Sequence, residues 1–317
     1  MGAITNFPDG AASYGVPLVP QRYYKKVLWV GNTSGLPSGT GKSPTSPLSS
    51  LFGAGGALAK AHPTLGTLIN VLPGHAENVS AADMASHTGS AVDITIRGMG
   101  VVGTRPTLTW TAATSTWLFD TAGIQLENFT LNMAGPPAAT DALTVAAPIT
   151  VSAAGCAIRR CKINMGVDAD QIVTNGITTT ANGDDLVLED NIMIGATAAE
   201  CTSMIRLVGC DGLIMRRNYI AGATSAAGAG VVLFVTTASL NIISENNVII
   251  NRKALSTAAV TGLAGVSGVS INDHFAYLDT SSLTPWLTST GIMTFHRPTV
   301  TNTAGEVGTE NVGTVSA

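Results

Sequence analysis

Leu186-Val-Leu-Glu-Asp-Asn-Ile-Met-Ile194 (LVLEDNIMI) decides the architecture of this 317-residue chain. Apolar residues alternate up to Leu188, three polar residues follow, and alternation resumes at Ile192. Period-2 alternation marks two short half-buried strands, and the polar triplet marks a bend between them. The same pattern recurs as ITIRGMG (94–100), IQLENFTL (124–131), AIRRCKI (157–163), LIMRRNYI (213–220), NIISENNVII (241–250) and VSINDHFAYL (269–278). Taking Ile96, Leu126, Ile158, Leu188, Met215, Ile243 and Ile271 as anchors, the steps are 30, 32, 30, 27, 28 and 28 residues. Most repeats are preceded by another apolar run and a turn: WLFDTAG, ITVSAAG, ITTTANG, MIRLVGC, VLFVTTA.

About three short strands per repeat of this length, with no helical return, predict an all-β fold: a parallel β-solenoid of about seven coils. One coil cannot bury its own inner face, so coils must stack, about 4.8 Å apart. Propeller blades need longer repeats, and leucine-rich repeats a fixed asparagine and a different return. A β-sandwich has no reason to keep the spacing.

Aligning the anchors sets further columns. Three positions on lie Phe129, Cys161, Asn191, Asn218, Asn246 and His274, so Asn191, Asn218 and Asn246 are expected to form an amide ladder, with His274 continuing it. One or two positions on, charge alternates from coil to coil through Glu127, Arg159 and Arg160, Glu189 and Asp190, Arg216 and Arg217, then Glu245 and Asp273. Cross-coil ion pairs among Glu127, Arg159, Glu189 and Arg216 follow, worth roughly 0.2–1 kcal/mol each and setting register.

An open stack needs covered ends. The chain divides into an arm (1–22), a solenoid domain (23–285) whose first part (23–90) is the cap, and a polar tail (286–317). Strands are expected at Tyr24–Val30 and Thr67–Leu72, and a short capping helix over Ser49–Ala61, opened by serine and stopped before Pro63.

Composition narrows the function. Charged residues make up 11% of the chain, against 35 glycines, 40 threonines and 45% apolar residues. That apolar content excludes a disordered chain. Sixteen Lys+Arg against 20 Asp+Glu leave no basic excess for nucleic acid. No apolar run is long enough for a membrane-spanning helix, and Met1–Pro8 has neither the charged nor the apolar region of a signal peptide. Cys156, Cys161, Cys201 and Cys210 lack zinc spacing and read as buried free thiols. No metal or cofactor is expected. Gly35–Ser43 (GLPSGTGKS) imitates a phosphate-binding loop, but Leu36 stands where glycine is required and Pro44 follows instead of a helix.

Enzymatic solenoids of this kind cleave polysaccharides with paired carboxylates. The candidates are Asp184, Asp185, Glu189, Asp190 and Asp211. The flanking arginines hold Glu189 and Asp190 ionised, unsuited to donate a proton. Trp110, Trp117 and Trp286 are not grouped with them in the sequence, and His75, His87, His274 and His296 are scattered. No catalytic residue is assigned.

Several stretches carry a family resemblance: Leu28-Trp-Val-Gly-Asn32, Val71-Leu-Pro-Gly-His-Ala-Glu-Asn-Val79, Ile96-Arg-Gly-Met-Gly100 and Arg105-Pro-Thr-Leu108. Together with the Gly-Thr-Gly loop and Ser43-Pro44, they resemble pectate-lyase-like right-handed parallel β-helix proteins. With Asn6-Phe-Pro-Asp-Gly10 and Ser13-Tyr-Gly-Val-Pro17, the chain is similar to β-helix proteins of tailed bacteriophages that accompany the major capsid protein. The resemblance spans about residues 5–280. It implies a homotrimeric decoration or cement protein on the capsid exterior, made in the bacterial cytoplasm. Its partners would be the major capsid protein and copies of itself, through an arm carrying Phe7, Pro8, Tyr14, Val16 and Pro17. A tailspike-like protein that binds or cleaves polysaccharide is the alternative.

Overall fold

The computed structural model describes residues 24–32, 39–62, 64–80, 93–135, 142–226, 229–254, 256 and 258–278, with short strands at 12–13, 16–17, 286–287, 291–295, 299–301 and 307–309. It is all-β among these residues and forms a parallel β-solenoid of about seven turns.

One coil shows how the chain winds. Ala157–Arg159 belongs to the first sheet, Arg160 and Cys161 turn the corner, Lys162–Asn164 joins the second sheet, and Asn175–Thr179 the third. Val187–Glu189 then returns beneath Ala157–Arg159, in parallel register Ile158↔Leu188 and Arg159↔Glu189. The first and second sheets hold ten strands each and the third seven. A minor pair, Leu143–Val145 with Gln171–Val173, lies between the second and third.

Because side chains alternate along each strand, every sheet sends one set of columns inward. Ile69, Ile96, Leu126, Ile158, Leu188 and Met215 form the first sheet's column. Ile163, Met193, Ile220, Ile249 and Phe275 form the second's, and Trp117, Ile149, Ile177, Ile205, Val232 and Val260 the third's. All are buried. Burial is worth about 1.5–3 kcal/mol for each large apolar side chain, so a coil is stable only while its neighbours are in place.

The two ends correct two expectations. Ser49–Ala61 is a series of turns, with no capping helix. Gly53, Gly55 and Gly56 interrupt it and glycine costs a helix about 1 kcal/mol per residue. The segment instead folds back on itself, Ala57 N donating to Ser50 O and Leu58 N to Leu51 O, both at 3.1 Å. That packing buries Leu51, Phe52, Ala57 and Leu58 together over the top of the lumen. Phe52 meets Trp117 of the third sheet edge-on, centroids 5.0 Å apart.

At the other end the stack continues past residue 285. Gly291–Phe295 pairs with Ser267–Ile271, Trp286–Leu287 with Val260–Thr261, and Thr299–Thr301 with His274–Ala276. Val307–Thr309 then pairs antiparallel with Thr299–Thr301, occupying the last edge of the second sheet. The polar composition of this tail conceals a further turn of strands.

Candidate functional site

The corner between the first and second sheets concentrates the polar chemistry. Each coil turns there on two residues. The first is left-handed in six successive coils: Asn128 (φ 64°), Arg160 (54°), Asp190 (55°), Arg217 (52°), Asn246 (54°) and Asn272 (53°). The second points inward: Phe129, Cys161, Asn191, Asn218, Asn247 and Asp273, all buried.

Asn191, Asn218, Asn247 and Asp273 form a continuous ladder. The Asn191 backbone N and Nδ2 donate to Asn218 Oδ1 at 3.1 and 3.0 Å. The same two groups of Asn218 donate to Asn247 Oδ1, both at 2.9 Å. Those of Asn247 donate to Asp273 Oδ1 at 2.8 and 3.0 Å. Each asparagine Nδ2 also donates to a carbonyl of the coil before: Ile158, Leu188 and Met215 respectively. The expected third member, Asn246, stands instead on the exposed left-handed column, and His274 is exposed on the second sheet. The register Met215↔Ser244 and Ser244↔Ser270 shifts these coils by one residue from the Ile243 and Ile271 anchors. A one-residue shift exchanges the two faces.

Outside the ladder the charges alternate down one column: Arg97, Glu127, Arg159, Glu189, Arg216, Glu245. Glu127 lies 3.2 Å from Arg97, 3.0 Å from Arg160 and 4.0 Å from Arg159. Glu189 lies 3.3 Å from Arg159 and 2.7 Å from Arg217, which also reaches Asp190 at 2.7 Å. Arg216 takes Glu245 at 3.0 Å. Of the four expected ion-pair residues, Glu127, Arg159 and Glu189 are thus joined, while the structure pairs Arg216 with Glu245.

This setting fixes the protonation states. The bond from Arg217 holds the Asp190 carboxyl below the usual range despite slight burial, and Arg217 is raised in turn by Asp190 and Glu189. Burial pushes the Cys161, Cys201 and Cys210 thiols up to about 12. Burial also raises Asp273, although Ser244, Ser270 and Asn247 donate to it.

The other candidate acids are held in turns. Asp184 Oδ1 accepts from Asp211 N at 2.9 Å, and Asp211 Oδ1 from Leu240 N at 2.7 Å. They lie beyond the opposite end of strand Val187–Glu189 from Asp190, so the five carboxylates split between two corners. Trp110 and Trp117 are core residues, Trp110 Nε1 donating to Pro148 O at 3.0 Å. The lumen beside Asn191 and Asn218 has a gap with room for about one water. Phe7, Pro8, Tyr14, His87 and His296 lie outside the described residues. Val16–Pro17 forms a short antiparallel pair with Ala12–Ser13.

Sequence reasoning passed over a second polar cluster, at the cap. Glu77 accepts from Ser50 Oγ, from Leu51 N at 2.8 Å and from Phe52 N at 3.2 Å, and pairs with His75 Nε2 at 2.9 Å. His75 is fully buried and its Nδ1 has no hydrogen-bond partner among the described residues. The i, i+2 spacing of His75 and Glu77 on an extended segment was the available signal, since it places both on one face. The residue types are those of a hydrolytic triad, but the carboxylate sits between the hydroxyl and the imidazole, leaving Ser50 without a base.

No family model, no curated protein and no solved structure matches the chain. The parallel β-solenoid is therefore what the chain shares with the families it resembles, and neither a pectate-lyase-like relationship nor a bacteriophage source rests on a match.

Proposed function

We propose that this protein is a structural component of a bacteriophage particle, decorating or cementing the capsid exterior through contacts with the capsid lattice and with copies of itself. The carrying observation is the saturation of the polar corner. Glu127, Glu189, Asp190 and Glu245 are each tied to arginine, and the amides beneath are bonded to one another. Groups spent on ladders make a stiff rod with a regular surface. A surface with few charges packs against identical copies without large desolvation costs, and flat solenoid faces suit closed cyclic symmetry, a homotrimer in this proposal.

Electron microscopy of intact particles tests the assignment: symmetry-related copies on the head shell are expected, and their absence from the shell overturns it. Deleting residues 1–22 should abolish capsid binding while leaving a folded stack; unchanged binding removes the arm from the proposal. Release of oligosaccharide from bacterial glycan, lost on Glu189→Gln and Asp190→Asn, would establish the polysaccharide-cleaving alternative instead.

A further inference from the structure

We infer that Glu77 is an acid-released latch that holds the N-terminal cap closed over the solenoid. The inference stands on the cap cluster alone and does not depend on the proposed function.

Cap segment 48–61 has no regular secondary structure to hold it. Leu48 is bridged to Val30 at its start, and backbone bonds close the loop on itself. Between these, two side chains of the stack reach it: Lys26 Nζ, which donates to Lys60 O near its end, and the Glu77 carboxylate, which gathers Ser50 Oγ and the amides of Leu51 and Phe52. Those three donors come from consecutive residues, so the loop wraps one carboxylate. Losing it strands the Leu51 N–H beneath buried side chains, an arrangement folded proteins avoid, and leaves Phe52 N with Ser50 Oγ as its acceptor.

Glu77 is itself held from below. Ala76, its neighbour, donates to Asn32 Oδ1 at 3.2 Å, while Asn32 Nδ2 donates to Ala76 O. His75, fully buried, donates from the other side. Among the described residues, His75 is the one titratable group within hydrogen-bond reach of Glu77, and it lies on the same segment. The cap side presents only the Ser50 hydroxyl and the two amides.

An ionised carboxylate accepts all four bonds. A protonated one turns one oxygen into a donor: its acceptor on the cap is Ser50 Oγ, which then donates to Phe52 O at 2.8 Å instead of to Glu77, and the amides of Leu51 and Phe52 lose their charged acceptor. Burial works against ionisation, but the bonds from His75, Ser50, Leu51 and Phe52 outweigh it and keep Glu77 below the ordinary carboxylate value. The latch therefore contributes fully above that ordinary value, and its contribution is lost as pH falls through the depressed one. Release uncovers Leu51, Phe52 and the Trp117 ring against which Phe52 packs.

Hydrogen exchange on the full chain tests this, using amides of strand Val187–Glu189 as the internal reference. Protection of Leu51, Phe52, Ala57 and Leu58 relative to that strand is expected to fall at least tenfold between pH 7 and pH 3. Glu77→Gln should show the reduced value already at pH 7. Ser50→Ala, which keeps the carboxylate but removes one donor, should open at a higher pH than the wild type and keeps the test alive if Glu77→Gln does not fold. Cap protection that tracks the reference strand at every pH overturns the latch. So does wild-type protection in Glu77→Gln at pH 7, or a Ser50→Ala midpoint at or below the wild-type one.

Discussion

Asn218 and Asn247 are joined twice across one coil, the backbone N and Nδ2 of the first both donating to Oδ1 of the second at 2.9 Å. Each asparagine of this column bonds groups on two other coils, so removing one strands several buried partners at once. Replacing Asn218 with Ala leaves the Asn191 backbone N–H and amide and the Leu188 carbonyl short of a partner. The loss should be roughly 3 kcal/mol or more, at about 1–3 kcal/mol per unsatisfied buried group. Asn246→Gly, one position before the ladder and left-handed at φ 54°, should stay within about 0.5 kcal/mol of wild type. Urea unfolding of both variants checks the pair; equal losses would mean the column is misassigned.

Asp273 ends the ladder with a buried carboxylate where the three coils above use an amide. Its pKa is raised above the ordinary 3.8, chiefly by burial. Between those two values the folded state binds more protons than the unfolded one, so this residue makes stability fall as pH rises. Asp273→Asn should remove that slope and gain on the order of 1 kcal/mol at pH 7, its new Nδ2 standing where the ladder donates to the carbonyl above, here Ser244. The advantage should shrink as pH approaches the ordinary carboxylate range, which thermal melts across pH 3–7 would show.

Gly212 turns between the third and first sheets at φ 70°, and a side chain there would overlap Asp185 Oδ1 of the coil above. Gly212→Ala should therefore cost about 1–3 kcal/mol from backbone strain alone, with the overlap added. In Asp185→Gly the space is vacated, so the same alanine should cost less, a coupling of about 1 kcal/mol between contacting sites. Additive losses in a double-mutant cycle would show that the two residues do not meet.

The thiols offer a check on the closed lumen. Cys161, Cys201 and Cys210 are buried and raised to about 12, so thiolate is scarce at pH 8 and alkylation should not proceed. Iodoacetamide at pH 8 is expected to leave these three unmodified by mass spectrometry in the native protein and to modify them after denaturation. Rapid native labelling of Cys161 would mean that the corner opens.

Much of this architecture was legible in the chain. Anchors from Ile96 to Met215 occupy one inward column because alternation in a half-buried strand leaves a single tolerable face, and the alternating charges of Glu127, Arg159 and Glu189 marked the outer side of the same strands. Residues 241–250 resisted that treatment. Ile242 and Ile243 are adjacent, as are Asn246 and Asn247, so a slip of one residue preserves the apparent pattern. Only the pairing of Ser244 with Met215 put Ile242 and Asn247 inside, together with a serine that the pattern had no reason to bury and whose hydroxyl accepts from Asn247 Nδ2 at 3.1 Å. The cap was hidden for a related reason. Ser50 has no periodic relation to His75 and Glu77, and its meeting with them depends on how far a glycine-interrupted loop folds back across the top of the stack. Local periodicity determined the winding, because every coil repeats the same inside–outside constraint; the tertiary structure decided the register of its ambiguous coils and the closure at its end, where single contacts between distant residues carry the energy.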